Sequence, residues 1–83
     1  MKLLYFAWIR ERIGVAEEEA AVPESVKSVS DLLDWLKGRG GGYEKALADL
    51  SIVRVAVNQE YVKLDHPVGA GDEIALFPPV TGG

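Results

Sequence analysis

The spacing of hydrophobic residues predicts two strands in the first quarter of the chain. Leu3 to Trp8 is a run of aromatic and aliphatic residues, which is typical of a β-strand. Arg10 to Gly14 predicts a short connecting turn, with at most one helical turn closed by Gly14. Glu17 to Val22 predicts a second strand, and its three glutamates favour a sheet edge, where charge discourages unwanted strand pairing. The same glutamates could instead form an acidic binding patch.

A helical period follows in the middle of the chain. Ser28 with Asp31 three residues later is typical of a helix start, because the serine hydroxyl can accept from a backbone N–H of the first turn. Apolar residues then recur at i, i+3, i+4 and i+7 and form one stripe facing a core: Val29, Leu32, Leu33 and Leu36. Gly38 to Gly42 predicts the end of this helix and a flexible connection, and Glu44 to Leu50 predicts a second short helix.

Three more strands are predicted in the last third of the chain, at Val53 to Val57, Tyr61 to Leu64 and Glu73 to Phe77. Asn58 to Glu60 predicts a tight turn between the first two, and Asp65 to Asp72 predicts a longer loop. The order β-β-α-(α)-β-β-β predicts a single α+β domain over residues 1–83. In this fold class a mixed sheet is packed on one face by one main helix and a short second helix.

The alternation of side chains along the strands predicts an apolar face that no helix covers. Alternate residues of a strand point to opposite faces, so the polar residues Lys2, Arg54 and Glu73 mark the side that meets water. The opposite side then carries the core residues Leu3, Tyr5, Ala7, Val53, Val55, Val57, Val62, Leu64, Ile74 and Leu76. Ala56 points outward beside Arg54. The outer face also carries Leu4, Phe6, Trp8, Tyr61 and Phe77. Several aromatic residues on an open face favour a docking surface for a protein partner. Coverage by loops, or an opposite facing of the first strand, is the alternative.

Composition and charge exclude several classes of function. The 83 residues are 48% hydrophobic and 27% charged, with a net charge of −4. This balance argues against nucleic-acid or anionic-membrane binding, which needs clustered Lys and Arg. The apolar run at the N-terminus is too short for a membrane span or a signal peptide. The absence of cysteine excludes disulfides, thiolate metal sites and cysteine nucleophiles, and it is consistent with a cytoplasmic location.

Side chains suited to catalysis are few. His66 is the single histidine and lies in a turn, without a serine and carboxylate placed as in a triad. Gly69 to Gly71 precedes a predicted strand rather than a helix, and Gly38 to Gly42 lacks the Lys-Ser/Thr pair of a phosphate-binding loop. We expect no metal site and no catalytic activity of the chain alone.

The sequence ends on Phe-Pro-Pro-Val-Thr-Gly-Gly, Phe77 to Gly83, which predicts an extended and narrow segment. Residues 78–83 can span about 20 Å when extended. Pro78 and Pro79 favour extended backbone, and the two glycines could pass through a channel too narrow for a Cβ atom. An unhindered carboxylate lies at the end, which favours a carboxylate that is itself the reacting group.

This ending, together with Ala56-Val-Asn-Gln59 and Gly71-Asp-Glu73, resembles the small-subunit family of molybdopterin synthase. Tyr5 to Gly14 also fits that family, and the resemblance covers essentially the whole chain. It implies the ubiquitin-like β-grasp fold and a sulfur carrier for molybdenum cofactor biosynthesis. The C-terminal residues Gly82 and Gly83 would be the reacting end, with Gly83 adenylated and then converted to a thiocarboxylate. Phe6, Tyr61, Phe77, Pro78, Pro79, Val80 and Thr81 would contact the partner.

The resemblance also implies partners. They are the large subunit of the synthase in a heterotetramer of two small and two large subunits, an ATP-dependent adenylating enzyme, and a sulfur-donor protein. This chain would bind no cofactor tightly. ATP would be used by the activating enzyme. Three alternatives stay open: a sulfur carrier for thiamine, cysteine or tRNA thiolation, a ubiquitin-like modifier joined to lysines through Gly83, and a β-grasp interaction module with no chemistry at its tail.

Overall fold

The computed structural model describes residues 1–79. Five strands and three α-helices follow one another as β1 (Lys2–Tyr5), α1 (Ala7–Ile13), β2 (Glu17–Glu19), α2 (Val29–Lys37), α3 (Gly41–Ala46), β3 (Arg54–Val57), β4 (Glu60–Val62) and β5 (Glu73–Phe77). A 3₁₀ turn at Leu50–Ile52 leads into β3. The predicted α+β class is confirmed.

One mixed sheet contains all five strands in the order β2-β1-β5-β3-β4. β1 and β5 are parallel, and the other three neighbouring pairs are antiparallel. The position of the glutamate-rich strand β2 at an edge is therefore confirmed. A tight turn at Asn58 and Gln59 joins β3 to β4, and both residues have positive φ, 50° and 72°. This left-handed pair is the geometry that two-residue hairpins favour.

The helices cover one face of the sheet, and α2 supplies the centre of the core. Its start is as predicted, because the Ser28 hydroxyl accepts a hydrogen bond from the Asp31 N–H at 3.1 Å. The predicted apolar stripe is fully buried: Val29, Leu32, Leu33 and Leu36. It packs in one cluster with Leu3, Tyr5, Ile74 and Leu76, so the predicted inward facing of β1 and β5 is also confirmed.

The first strand is shorter than predicted, and a helix replaces the predicted turn. Ala7 has a left-handed φ of 52°, which ends the strand and starts α1. Ala7 and Trp8 therefore lie on a helix and not on the sheet, and Gly14 closes that helix with φ 101° as predicted. The residue types gave no sign of this junction, because the apolar run continues across it and alanine rarely adopts this conformation.

The glycine-rich segment is part of a helix contact rather than a flexible connection. Gly41 and Gly42 form the first turn of α3, which begins three residues earlier than the predicted second helix. A Cβ atom on Gly42 would lie 2.0 Å from the backbone carbonyl oxygen of Arg12. The missing side chain at Gly42 is therefore what allows α3 to pack against α1.

We expect Gly42→Ala to destabilise the fold by about 2 kcal/mol, because α1 and α3 must separate to admit the methyl group. Gly41→Ala is the matched control, because nothing lies within 4 Å of its Cβ position and the added methyl group meets no clash. Its φ of 53° adds backbone strain. Urea unfolding of both variants measures the difference. Equal stability of Gly42→Ala and the native protein would contradict the packing role.

The strands β2 and β4 are shorter than predicted, and Ala56 on β3 is more buried than its outward facing suggests. β4 ends at Val62, so Leu64 lies beyond the strand and is 41% exposed instead of facing the core. Ala56 occupies the outer face as predicted but is only 6% exposed, because its neighbours across the sheet, Tyr61 and Ala75, flank it. β2 covers Glu17–Glu19 and does not reach Val22.

Candidate functional site

Three aromatic residues lie at or next to strand ends on the outer face of the sheet, and we call Phe6, Tyr61 and Phe77 the aromatic patch. The ring centroids of Tyr61 and Phe77 are 5.3 Å apart, and Tyr61 is 78% exposed. Phe6 follows β1, is 47% exposed, and donates its backbone N–H to the Leu76 carbonyl oxygen at 3.1 Å. Phe6 and Phe77 are therefore held beside each other at the C-terminal end of β5.

A row of apolar side chains extends from the aromatic patch across the sheet. Tyr61 is paired with Ala56, Ala56 with Ala75, and Ala75 with Leu4. The row ends at Glu17, whose carboxylate is 3.4 Å from the Lys2 ammonium. The outer face thus combines exposed aromatic rings with a strip of apolar residues, a surface on which an apolar partner could pack closely.

A shallow cavity of about 200 Å³ opens beside the aromatic patch. Its lining residues are Arg54, Val55, Tyr61, Val62 and Phe77. Arg54 is directly opposite Phe77 in the β3–β5 pairing. The cavity is therefore lined mainly by apolar residues, with Arg54 as the one charged residue among them.

The structure places some of the predicted site residues and not others. Phe6, Tyr61 and Phe77 are brought together, and Pro78 and Pro79 follow β5 directly, both half-buried. Val80, Thr81, Gly82 and Gly83 lie outside the described residues. Trp8, predicted for the outer face, is on α1, where the Arg12 guanidinium lies 4.5 Å from its ring centroid. Its ring packs against the core from the helix side, so the outer-face prediction for Trp8 is wrong.

Sequence reasoning missed a hydrogen-bonded cluster around Glu18. The carboxylate accepts from the hydroxyls of Tyr5 at 2.7 Å and Tyr43 at 2.5 Å, and from the guanidinium of Arg39 at 3.2 Å. Burial acts to raise the pKa of Glu18, but these donors outweigh it and lower the pKa. The central glutamate of β2 therefore joins the strand to α3 and is not a solvated edge residue.

Glu18 is expected to make stability depend on pH. A carboxyl whose pKa is lower in the folded than in the unfolded state stabilises the fold above its unfolded pKa and loses this contribution as the pH falls through the folded pKa. We expect the melting temperature to fall on acidification below about pH 4.5. The fall should be smaller in Glu18→Gln, which is less stable than the native protein at pH 7. Glu17→Gln is the exposed control, and parallel curves for the native protein and Glu18→Gln would contradict this assignment.

The two internal motifs that carry the family resemblance meet at the opposite end of β5 from the aromatic patch. The Asn58 side chain donates to the Asp72 carboxylate at 3.0 Å and accepts from the Glu73 N–H at 3.1 Å. Asp72 also accepts from the Gly69 N–H, and its pKa is lowered by these hydrogen bonds, that from Asn58 first. These residues fasten the hairpin turn to the loop before β5, which is a structural task.

Comparison with known proteins identifies the family. The sequence profile described as the ThiS family matches residues 3–83. The chain belongs to the ThiS family.

Relatives of this ThiS chain agree along its length. The molybdopterin synthase sulfur carrier subunit of Escherichia coli (strain K12) is 40% identical over 83 residues, with 100% of this chain and 99% of the relative covered. A putative molybdopterin converting factor, subunit 1 from Pyrococcus furiosus is 38% identical, with a TM-score of 0.77 and 95% of each chain covered. The small archaeal modifier protein 1 of Haloferax volcanii is 31% identical, with a TM-score of 0.73, 96% of this chain and 97% of that chain covered.

These relatives confirm three predictions for the ThiS chain: the family resemblance, the β-grasp fold, and the function of a sulfur carrier subunit of molybdopterin synthase. Across residues 1–79, the helices are all too short or too polar to cross a membrane.

Proposed function

We propose that this ThiS-family chain carries sulfur on the carboxylate of Gly83 and delivers it within a molybdopterin synthase complex in the cytoplasm. The observation that carries the proposal is the position of the aromatic patch at the C-terminal end of β5, next to the point where the tail leaves the sheet. A partner docked on this patch would receive the tail directly. Residues 78–83 are long enough to extend about 20 Å into that partner.

The chemistry follows from the low reactivity of a free carboxylate. A carboxylate oxygen of Gly83 attacks the α-phosphorus of ATP in an activating enzyme, and pyrophosphate leaves. The outer sulfur of a persulfide on a donor protein attacks the resulting mixed anhydride, AMP leaves, and an acyl disulfide forms. A thiol then attacks the donor's sulfur, which releases the thiocarboxylate and leaves a disulfide on the donor. The thiocarboxylate sulfur forms a C–S bond to a cyclic pyranopterin precursor, and hydrolysis of its bond to the Gly83 carbonyl leaves the sulfur in the dithiolene and restores the carboxylate. In this scheme the chain supplies the carboxylate that carries the sulfur, and it supplies no catalytic side chain.

Each predicted contact residue has a physical task in this scheme. Phe6, Tyr61, Phe77 and Pro78 form the docking surface, since exposed aromatic rings at the centre of an interface bury the most apolar area. Pro79 and Val80 would keep the chain extended as it enters the partner. Thr81 and Gly82 would lie in a narrow channel, which would guide the end to the reacting centre. We infer that the partner is the large subunit of the synthase, in a heterotetramer of two small and two large chains.

Intact mass measurement tests the carrier chemistry. The purified protein is incubated with ATP, the activating enzyme and a sulfur source, and its mass is expected to rise by about 16 Da as sulfur replaces one carboxylate oxygen. Omission of ATP is the control, because no mixed anhydride forms without it. An unchanged mass in the complete reaction would contradict the proposal and leave a plain interaction module.

A second candidate is a protein modifier, favoured by the similarity to an archaeal modifier protein. Adenylated Gly83 would then be transferred to a lysine side chain of another protein, forming an isopeptide bond. Peptide mass spectrometry of a digested cell extract distinguishes the two, because a modifier leaves its C-terminal peptide, ending at Gly83, joined to target lysines. A carrier leaves none and gives the mass increase alone.

A further inference from the structure

Arg54 is a charged residue that adjoins the aromatic patch. It begins β3 on the outer face and pairs across the sheet with Phe77. Its Nη1 atom donates to the backbone carbonyl oxygens of Ser51 at 3.0 Å and Val53 at 3.3 Å. One edge of the guanidinium is therefore fixed to the backbone, which orients the group while it stays exposed.

Within residues 1–79, Arg54 has no acidic partner. The ion pairs of this part of the chain join the Met1 amine to Glu19, Lys2 to Glu17, and Arg39 to Glu18. Arg39 is moreover stacked against Trp35 and Tyr43, so its charge is used within the fold. On the outer face Lys2 is neutralised by Glu17, whereas Arg54 presents an unopposed positive charge.

The cavity beside Arg54 indicates what could bind there. The residues that line this cavity of about 200 Å³ are Tyr61, Phe77, Val55, Val62 and, as the one charged residue among them, Arg54. Apolar walls suit the methylene groups of a side chain, and the free edge of a fixed guanidinium suits a planar carboxylate, which it can bind through two parallel N–H groups.

We propose that this cavity receives an acidic side chain of the large subunit, whose carboxylate pairs with Arg54. The proposal rests on the function proposed above, since it assumes that the aromatic patch is the docking surface. Docking would exclude water from the cavity, which strengthens the pair. A partner without the acidic residue would leave the guanidinium buried and unpaired, so Arg54 would select the correct partner among proteins with similar apolar surfaces.

Binding measurements on purified chains test the role of Arg54. We expect Arg54→Gln to raise the dissociation constant for the large subunit at least about 10-fold at low salt, as for other charge pairs buried at interfaces. Arg54→Lys should raise it less, because the charge is kept and the paired N–H groups are lost. Lys37→Gln removes the same charge from an exposed residue of α2, on the side of the sheet opposite the aromatic patch, and should change the constant by less than about twofold.

A charge exchange identifies the partner residue. Arg54→Glu should abolish measurable binding, and one Asp→Arg or Glu→Arg variant of the large subunit should restore it, while the same variant weakens binding of the native chain. Melting curves establish that each variant is folded before binding is measured. If Arg54→Gln binds as tightly as Lys37→Gln, or if no acidic residue of the large subunit gives restoration, the proposal is overturned.

Failure of this inference is distinguishable from failure of the proposed function. If the native chain gains the mass of sulfur and binds the large subunit, and Arg54→Gln does so equally well, only the role of Arg54 is refuted. If the native chain neither gains the mass nor binds, the carrier proposal itself is refuted.

Discussion

Deleting Gly83, or adding one alanine after it, is expected to abolish sulfur transfer without unfolding the protein. The reacting atoms must approach to about 3–3.5 Å, and one residue moves the end of an extended chain by about 3.3 Å. The free energy of unfolding should change by no more than about 0.5 kcal/mol, because the buried core of residues 1–79 lies between Leu3 and Leu76. A product assay with the large subunit and a melting curve measure the two effects.

Docking is the control for the tail variants. The aromatic patch is intact in both, so they should still bind the large subunit and compete with the native chain for it. Loss of binding together with loss of transfer would indicate that the tail, rather than the patch, supplies the affinity. Normal product formation by either variant would contradict the proposed chemistry.

Phe77→Arg should separate docking from folding. Phe77 lies on the outer face beside Tyr61, so the arginine can extend into solvent in the free chain, and the fold should be retained. In the complex the added charge would be buried against an apolar partner and Tyr61 would lose its neighbour. We expect the affinity for the large subunit to fall by about 2 kcal/mol or more, or about 30-fold. Phe6→Arg should act in the same direction.

Leu33→Ala is the matched control in the core. Leu33 is buried on α2, and its truncation should cost about 2–5 kcal/mol of stability. Protein that remains folded should still bind through an unchanged outer face. Chemical unfolding and binding measured on both variants give opposite patterns if the facing of the strands is correct. If Phe77→Arg is unfolded while Leu33→Ala is fully stable, the assigned facing of the strands is wrong.

Regular periodicity allowed most of the fold to be predicted. The helix α2 and the strand β5 follow the sequence pattern closely, because a buried helix stripe and an alternating strand are imposed by contact with one core. The aromatic patch was predicted from the same alternation. Phe6, Tyr61 and Phe77 occupy positions that point to the same face of the sheet as polar residues of their strands. Its three members come from different parts of the chain, and strand parity still brings them to one face.

Predictions failed where long-range contacts decide local structure. No residue type marks the left-handed turn at Ala7, and the close packing of Gly42 on Arg12 depends on how α1 and α3 are placed. Glu18 is flanked by two glutamates that do face solvent, and only the positions of Tyr5 and Tyr43 in the fold distinguish it. Arg54 likewise gains its significance from the pairing with Phe77 across the sheet.

The central position of β5 bears on when this chain can fold during its synthesis. β5 is hydrogen-bonded on one side to β1 and on the other to β3, although more than sixty residues separate β1 from β5 in sequence. The two halves of the sheet therefore cannot be joined until β5 has left the ribosome, and such distant pairing is slow to form. The tail follows β5 directly. An activating enzyme that requires the assembled outer face would thus act only on finished domains, so unfolded chains would be spared from activation.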